Sequence, residues 1–121
     1  MEIVASTPVL AVHDLDRSAR WFREVLGCEC TEVDPGNWIF CRSGSVDFML
    51  GRCTDVPPAA EIGDHSYVAY LRVDDVEAFL ARAEGAGADV IEPLRDRPWG
   101  MREFGLRSPD GHRFMIAQRG V

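Results

Sequence analysis

Apolar positions along the first half of the chain change their period twice. Residues 8–15, PVLAVHDL, alternate apolar with small or polar residues, which predicts a half-buried β-strand. Residues 14–27 instead carry apolar side chains at helical spacing, with Asp14 or Asp16 as candidate N-cap and a glycine at the end. Three further strand-like runs, separated by turn residues, follow at 28–33, 37–42 and 46–52.

The same order of elements recurs in the second half of the chain. A strand is predicted over 66–73 and a capped helix over 74–87. Three more strand-like runs follow at 88–93, 102–107 and 112–118. The matched positions are Asp14 with Asp74 and Gly27 with Gly87 at a shift of 60 residues, and Phe48-Met49-Leu50 with Phe114-Met115-Ile116 at a shift of 66.

These repeats predict a single α+β domain over 1–121, built from two βαβββ repeats. The first repeat covers about 7–52 and the second about 65–118, and the segment 54–64 has the prolines, alanines and acids of a linker. A helix on one face of each sheet leaves the other face uncovered. We therefore expect a curved mixed sheet around a cavity, and ligands bind in such partly apolar concavities.

Composition and charge narrow the choice of partners. A net charge of −7 argues against nucleic acid, because phosphate binding needs clustered cations. No apolar run is long enough to span a membrane, and the N-terminus does not resemble a signal peptide, so a cytoplasmic location is expected. The four cysteines lack the spacing of a structural zinc site and are expected to be free, mostly buried thiols.

Three blocks of the sequence resemble the vicinal oxygen chelate superfamily, which includes glyoxalase I, extradiol dioxygenases, fosfomycin resistance proteins and bleomycin-binding proteins. The blocks are PVLAVHDLDRSARWFREVLGCE, YLRVDDVEAFLARAEGAGADV and PWGMREFGLRSPDGHRFMIAQ. The first and last look most like bleomycin-resistance proteins. The resemblance covers roughly residues 7–118 and implies the glyoxalase/bleomycin-resistance fold.

The resemblance also implies where a metal would lie. Enzymes of this superfamily hold a divalent metal with one ligand, usually His, Glu or Gln, from each of four strands. The matching positions here are Thr7 or Pro8, Met49, Val68 and Met115. None of these side chains is a usual ligand for a hard or borderline cation, so neither a metal nor another cofactor is expected.

Other residues offer alternative chemistry. His13 and His112 are placed at element ends, whereas His65 lies three positions before an expected ligand. A shifted register would bring His65 toward the cavity, where only Asp47 and Glu103 are near as further ligands. Glu103 could act as a general base if buried, and pairing with an arginine is the competing interpretation. No serine or cysteine has a neighbouring histidine–acid pattern.

With apolar residues at the metal positions, the cavity is predicted to be an aromatic groove. Aromatic rings bind planar ligands by stacking, and their faces favour cations. Core packing is the competing interpretation for Phe48 and Phe114, whereas Trp38 and Trp99 follow turns, where a ring would lie at the cavity mouth. The predicted lining residues are Trp38, Phe40, Phe48, Met49, Tyr67, Trp99, Phe104 and Met115, with Asp47 and Glu103 at the rim.

The favoured hypothesis is a non-catalytic protein of the bleomycin-resistance type that sequesters a planar antibiotic or metabolite, cationic ones included. The alternative is a glyoxalase- or dioxygenase-like lyase, isomerase or oxygenase with displaced or absent metal ligands, and a third is a binding subunit in a biosynthetic cluster. The resemblance further implies a homodimer with grooves at the interface. Residues 1–7, hinged at Pro8, would cross between its subunits. A twofold dimer would also cover open sheet edges.

Overall fold

The computed structural model describes residues 1–62 and 67–120 and contains two βαβββ units. The first unit comprises β1 (Val9–Val12), α1 (Leu15–Glu24), β2 (Glu29–Asp34), β3 (Trp38–Ser43) and β4 (Val46–Arg52). The second comprises β5 (Ala69–Arg72), α2 (Val76–Gly85), β6 (Asp89–Asp96), β7 (Met101–Arg107) and β8 (Arg113–Arg119). A short 3-10 helix, Ala59–Glu61, lies between the units. Neither α-helix in these ranges is long and apolar enough to cross a membrane.

Each unit forms its own four-stranded mixed sheet, and both sheets have the same topology. The strand orders are β1–β4–β3–β2 and β5–β8–β7–β6. The first strand of each unit runs parallel to the last, so Val9 lies beside Met49 and Tyr70 beside Met115. The remaining neighbours are antiparallel. The predicted α+β fold of two βαβββ repeats is confirmed.

Both helices begin at an aspartate whose side chain caps the first turn. The Asp14 carboxylate accepts a hydrogen bond from the Arg17 backbone N–H at 3.0 Å, so Asp14, not Asp16, is the N-cap of α1. Asp75 accepts in the same way from Ala78 at 3.0 Å. The predicted match of Asp14 with Asp74 is therefore wrong by one residue, because the loop before α2 is one residue longer.

A shared aromatic core joins the two units. Phe22 of α1 packs against Phe48 and Phe114, with ring centroids 5.3 and 5.9 Å away, and those two rings lie 5.8 Å from each other. All three side chains are at most 1% exposed. The helix-bearing faces of the two sheets thus meet inside the chain, which leaves the opposite face of each sheet open on the outside.

The turn between β7 and β8 is a second connection between the units. Its Asp110 carboxylate is 2% exposed and accepts hydrogen bonds from the His13 backbone N–H at 3.2 Å and the Ser18 hydroxyl at 3.3 Å. The Asp110 carbonyl accepts from the Ala60 N–H at 3.1 Å. Gly111 has φ 97°, and a Cβ there would lie 2.5 Å from Ala60, so the turn requires glycine. This predicted hairpin turn therefore also positions α1.

Candidate functional site

The open face of the first sheet is a shallow concavity of about 440 Å³. Phe40 and Met49 are cross-strand neighbours at its centre, and Phe40 is 41% exposed. Arg42 and Asp47 pair at the edge, with 2.6 Å between the guanidinium Nε and the carboxylate Oδ1. The hydrogen bond from Arg42 lowers the pKa of Asp47 below its usual value. The remaining lining residues are Thr7, Glu29, Thr31 and Val33.

Trp38 lies on the same face, because it alternates with Phe40 along β3. Its ring covers the backbone of its cross-strand neighbour Gly51, where a Cβ would lie 2.8 Å from a ring carbon. The structure therefore brings four of the predicted groove residues, Trp38, Phe40, Asp47 and Met49, to one sheet face.

The open face of the second sheet carries a buried carboxylate. Glu103 on β7 is 2% exposed, and its Oε2 accepts a hydrogen bond from the Tyr70 hydroxyl at 2.5 Å. Its Oε1 lies 3.3 Å from Arg97 Nε. A carboxylate that water hardly reaches needs such a donor and such a countercharge. Partial burial and the bond to Glu103 raise the pKa of Tyr70.

Trp99 lies next to this group, in the turn before β7. It is 58% exposed, and its indole lies near the Tyr70 hydroxyl. The Arg97 guanidinium lies 5.3 Å from the centre of the Trp99 ring. Met115, the cross-strand neighbour of Tyr70, is 8% exposed beneath them. The arrangement combines an accessible stacking surface with a polar anchor.

Tyr67 lies just before β5 and is tied to the same sheet through Arg113. The Arg113 guanidinium lies 4.7 Å from the centre of the Tyr67 ring, and its Nη2 donates to the Tyr67 hydroxyl at 3.3 Å. Arg113 alternates with Met115 along β8 and so shares its open face.

Phe48 and Phe104 belong to the core, and their predicted position in the groove is wrong. They are 1% and 0% exposed. Successive side chains of a strand point to opposite faces, so Phe48 points inward next to Met49, and Phe104 points inward next to Glu103. Two adjacent residues of a strand cannot both point to the same face of the sheet, even when both are apolar.

The remaining predicted residues divide between two faces instead of lining one groove within the chain. Since the sheets meet through their core faces, the open faces do not face each other in the described residues. The first sheet carries Trp38, Phe40, Asp47 and Met49, and the second carries Tyr67, Trp99, Glu103 and Met115.

Two residues of the second face, Tyr70 and Arg97, were not predicted from the sequence. Alternation from Val68 would have placed Tyr70 on the open face, and the equivalence of β5 with β1 would have set it beside Met115. Arg97 follows β6 in a turn, where no periodic pattern marks the direction of a side chain.

Comparison with known proteins decides the family. A family model described as the Glyoxalase/Bleomycin resistance protein/Dioxygenase superfamily matches residues 4–116. The chain belongs to this superfamily. Part of the chain also matches an uncharacterized protein of Mycobacterium tuberculosis. The two are 37% identical over 57 residues, which are 47% of this chain and 34% of that protein. The chain thus aligns with only about a third of the length of the curated relatives it matches.

Solved structures of similar fold belong to several kinds of protein. TioX from Micromonospora sp. ML1 has a TM-score of 0.77 at 27% identity, over 93% of this superfamily member and 96% of TioX. The bleomycin resistance determinant encoded on transposon Tn5 has a TM-score of 0.78 at 20% identity, over 98% and 100% of the two chains. Lactoylglutathione lyase from Agrobacterium tumefaciens has 0.73 at 21%, over 98% and 95%. The last two likenesses show the fold alone.

The residues at the superfamily's metal positions do not fit a divalent cation. Thr7 and Met49 lie on the first open face, Met115 lies in β8, and Val68 lies directly before β5 and donates its backbone N–H to the Arg113 carbonyl. They offer two thioethers, one hydroxyl and one hydrocarbon side chain. Among residues 1–62 and 67–120, no group of three or more His, Cys, Asp or Glu side chains is placed to hold a metal ion.

The histidines do not supply the missing ligands within the described ranges. His13 Nε2 lies 2.6 Å from the Val56 carbonyl oxygen. His112 Nδ1 lies 3.4 Å from the Ser108 hydroxyl, and burial lowers the pKa of His112. Both contacts lie at element ends, as predicted from the sequence. His65, considered as part of a displaced metal site, lies outside the described residues.

Proposed function

We propose that this chain is a small-molecule-binding protein of the bleomycin-resistance kind, which sequesters a planar antibiotic or metabolite. The observation that carries the proposal is the half-exposed Trp99 beside Tyr70 and the buried Glu103 to which Tyr70 donates. The donor set at the metal positions supports binding over metal-dependent catalysis.

The second open face has the chemistry for a flat ligand with a polar or cationic substituent. Trp99 and Tyr70 are 58% and 48% exposed, and stacking on such rings removes apolar surface from water. Glu103 anchors the polar part, because a carboxylate accepts hydrogen bonds and attracts positive charge. A cationic substituent would compete there with Arg97, so a ligand carrying hydrogen-bond donors on a planar ring is the best match.

The first open face would complete the groove in a second copy of the chain. Val9, Val33 and Phe40 are 59%, 50% and 41% exposed there, which is a large apolar surface to leave in water. A twofold homodimer that opposes the first face of one chain to the second face of its partner would enclose a ligand between Phe40 and Trp99. The two faces would then act as one site.

An enzyme without metal is the second candidate, and Glu103 is the observation that favours it. A buried carboxylate that accepts a hydrogen bond from a tyrosine hydroxyl has the groups that acid–base catalysis by an isomerase or lyase requires. The fold does not separate the two functions, since the bleomycin resistance determinant and lactoylglutathione lyase both share it.

The test is calorimetric titration of the protein with bleomycin and with other planar drugs, cationic and neutral. Trp99→Ala should weaken binding about tenfold, because loss of one stacking ring removes about 1.4 kcal/mol. Trp99→Phe should retain most of the affinity. Val46→Ala is the control, since Val46 is 40% exposed but alternates with Phe48 and lies off the open face.

Two results would overturn the proposal. If Trp99→Ala and Trp38→Ala both leave drug binding unchanged, the groove lies elsewhere. If the purified protein holds stoichiometric zinc, nickel, iron or manganese, or turns over a substrate in a reaction that Glu103→Gln abolishes, it is an enzyme.

A further inference from the structure

Two cysteines lie directly opposite each other on the core side of the first sheet. Cys30 of β2 and Cys41 of β3 are cross-strand partners, and their Sγ atoms are 2.7 Å apart. Opposed residues of antiparallel strands have Cα atoms about 4.5–5.5 Å apart, which lies within the span of a disulfide. The backbone therefore already holds the two sulfurs in direct contact, with a Cα separation that a disulfide can span.

The two thiols have different surroundings. Cys41 is 0% exposed, whereas Cys30 is partly exposed and has the cationic Arg23 nearby. A hydrogen bond joins the two sulfurs, and this bond, helped by Arg23 and opposed by burial, lowers the pKa of Cys30. The same bond and burial raise the pKa of Cys41. One sulfur is thus the accessible nucleophile and the other a shielded proton carrier.

We propose that Cys30 and Cys41 form a redox-active pair that closes reversibly to a cross-strand disulfide. This site is separate from the proposed ligand groove, because alternation turns both cysteines to the α1 side of the sheet, away from Phe40 and Thr31. Its success or failure is therefore independent of the proposed function.

A hydroperoxide is the oxidant class that the reaction needs, and the step balances as follows. The Cys30 thiolate attacks the peroxide O–O bond, which breaks to give a sulfenic acid at Cys30 and, with one proton, water or an alcohol. The Cys41 sulfur then attacks the Cys30 sulfur, the S–S bond forms, and the leaving hydroxide takes the Cys41 proton as water. The two sulfurs lose two electrons, and the peroxide gains them. A dithiol reverses the reaction.

The other cysteines are poorer partners for Cys30. Cys28 lies on the same strand face and is 6% exposed, and burial raises its pKa to about 12. Cys28 lies just before β2, whose paired register begins at Glu29 with Arg42, so it has no cysteine as a partner in that register. Cys53 contacts Asp55, its neighbour two residues on, and lies beyond the end of β4. The structure thus favours one pairing among the possible ones.

Peptide mapping of the oxidised full-length protein tests the pairing without any substitution. Reduced protein is titrated with hydrogen peroxide, remaining thiols are blocked with N-ethylmaleimide, and the protein is digested without reductant by trypsin and a protease that cleaves after glutamate. Glu24, Glu29, Glu32 and Arg42 then separate the three cysteines into fragments 25–29, 30–32 and 33–42. We expect fragment 30–32 linked to 33–42, a blocked Cys28 in fragment 25–29, and loss of the link after dithiothreitol.

A matched pair of variants distinguishes this pairing from general oxidation. Cys28→Ser should still lose two thiols on oxidation, whereas Cys30→Ser should not form the link, although both changes are the same and lie on one strand face. A link between Cys28 and Cys30 would overturn the proposal. Oxidation of Cys30 to a sulfinic acid with Cys41 still free, or no reaction at millimolar peroxide, would do so as well.

Discussion

Two carboxylates with the same burial have different surroundings. Asp110 and Glu103 are each 2% exposed. The Asp110 carboxylate accepts hydrogen bonds from the His13 backbone N–H and the Ser18 hydroxyl, two groups of the first unit. Glu103 instead borders the exposed Trp99 and carries the ion pair with Arg97. The first is suited to join parts of the fold, and the second to meet a ligand.

Asp110→Ala should therefore lower the free energy of unfolding by about 2–4 kcal/mol, because it leaves buried donors without an acceptor. Urea denaturation followed by circular dichroism measures the change. The control is Asp34→Ala at the end of β2, where the Asp34 carboxylate accepts an exposed hydrogen bond from the Asn37 side chain at 3.3 Å. Equal losses for the two variants would contradict the structural role assigned to Asp110.

At the scale of elements, a side chain of α2 contacts the C-terminal end of α1. Gly27 and Gly87 follow α1 and α2 with φ of 72° and 74°, the left-handed region that glycine adopts most easily. Only Gly27 is also crowded: a Cβ there would lie 2.9 Å from the Arg82 guanidinium, whose Nε donates to the Val25 carbonyl at 3.2 Å. An arginine of the second unit thus caps the first helix.

Gly27→Ala should be more destabilising than Gly87→Ala by about 1–2 kcal/mol. Both substitutions place an alanine in the left-handed region, at about 1 kcal/mol each, but only the first displaces Arg82 from Val25. Urea denaturation of both variants, alone and combined with Arg82→Ala, measures the difference. In the Arg82→Ala background the two glycine substitutions should cost the same; a difference that persists there would mean that Arg82 is not the cause.

The periodicity of apolar residues predicted the helices and strands well, but it predicted less well which side chains of each strand point into the core. Alternation and helical spacing depend on local physics, so both βαβββ units and the glycine ends of the helices could be predicted from the sequence. Which face of β4 packs inward could not, because Phe48 and Met49 are both apolar and adjacent. Only the contact with Phe22 and Phe114 decides it. The direction of the Arg97 side chain and the position of the α2 N-cap at Asp75 depend on the loops. The periodicity of apolar residues carries no information about loops.

At the scale of the whole molecule, the shared core explains why two faces are left open. Phe22 packs against Phe48 of the first sheet and Phe114 of the second, so one face of each sheet is already used in the core. The opposite face of each sheet is therefore not covered by the other sheet. The exposed apolar and aromatic side chains on these faces are Val9, Val33, Phe40, Tyr70 and Trp99. A second copy of the chain would bury them, and a homodimer is the assembly that the proposed groove needs.

Sedimentation equilibrium at micromolar concentration should therefore give a dimer mass, and Phe40→Glu should shift the equilibrium to monomer. A carboxylate at Phe40 would have to be desolvated at the interface, and it would lie next to Asp47, so the interface should weaken at least tenfold. Val46→Glu adds the same charge to a similarly exposed position on the opposite face of the sheet, and it should leave the dimer intact. If both variants and the unmodified chain sediment as monomers, the groove cannot be shared, and Trp99 with Glu103 must bind the ligand on one chain alone.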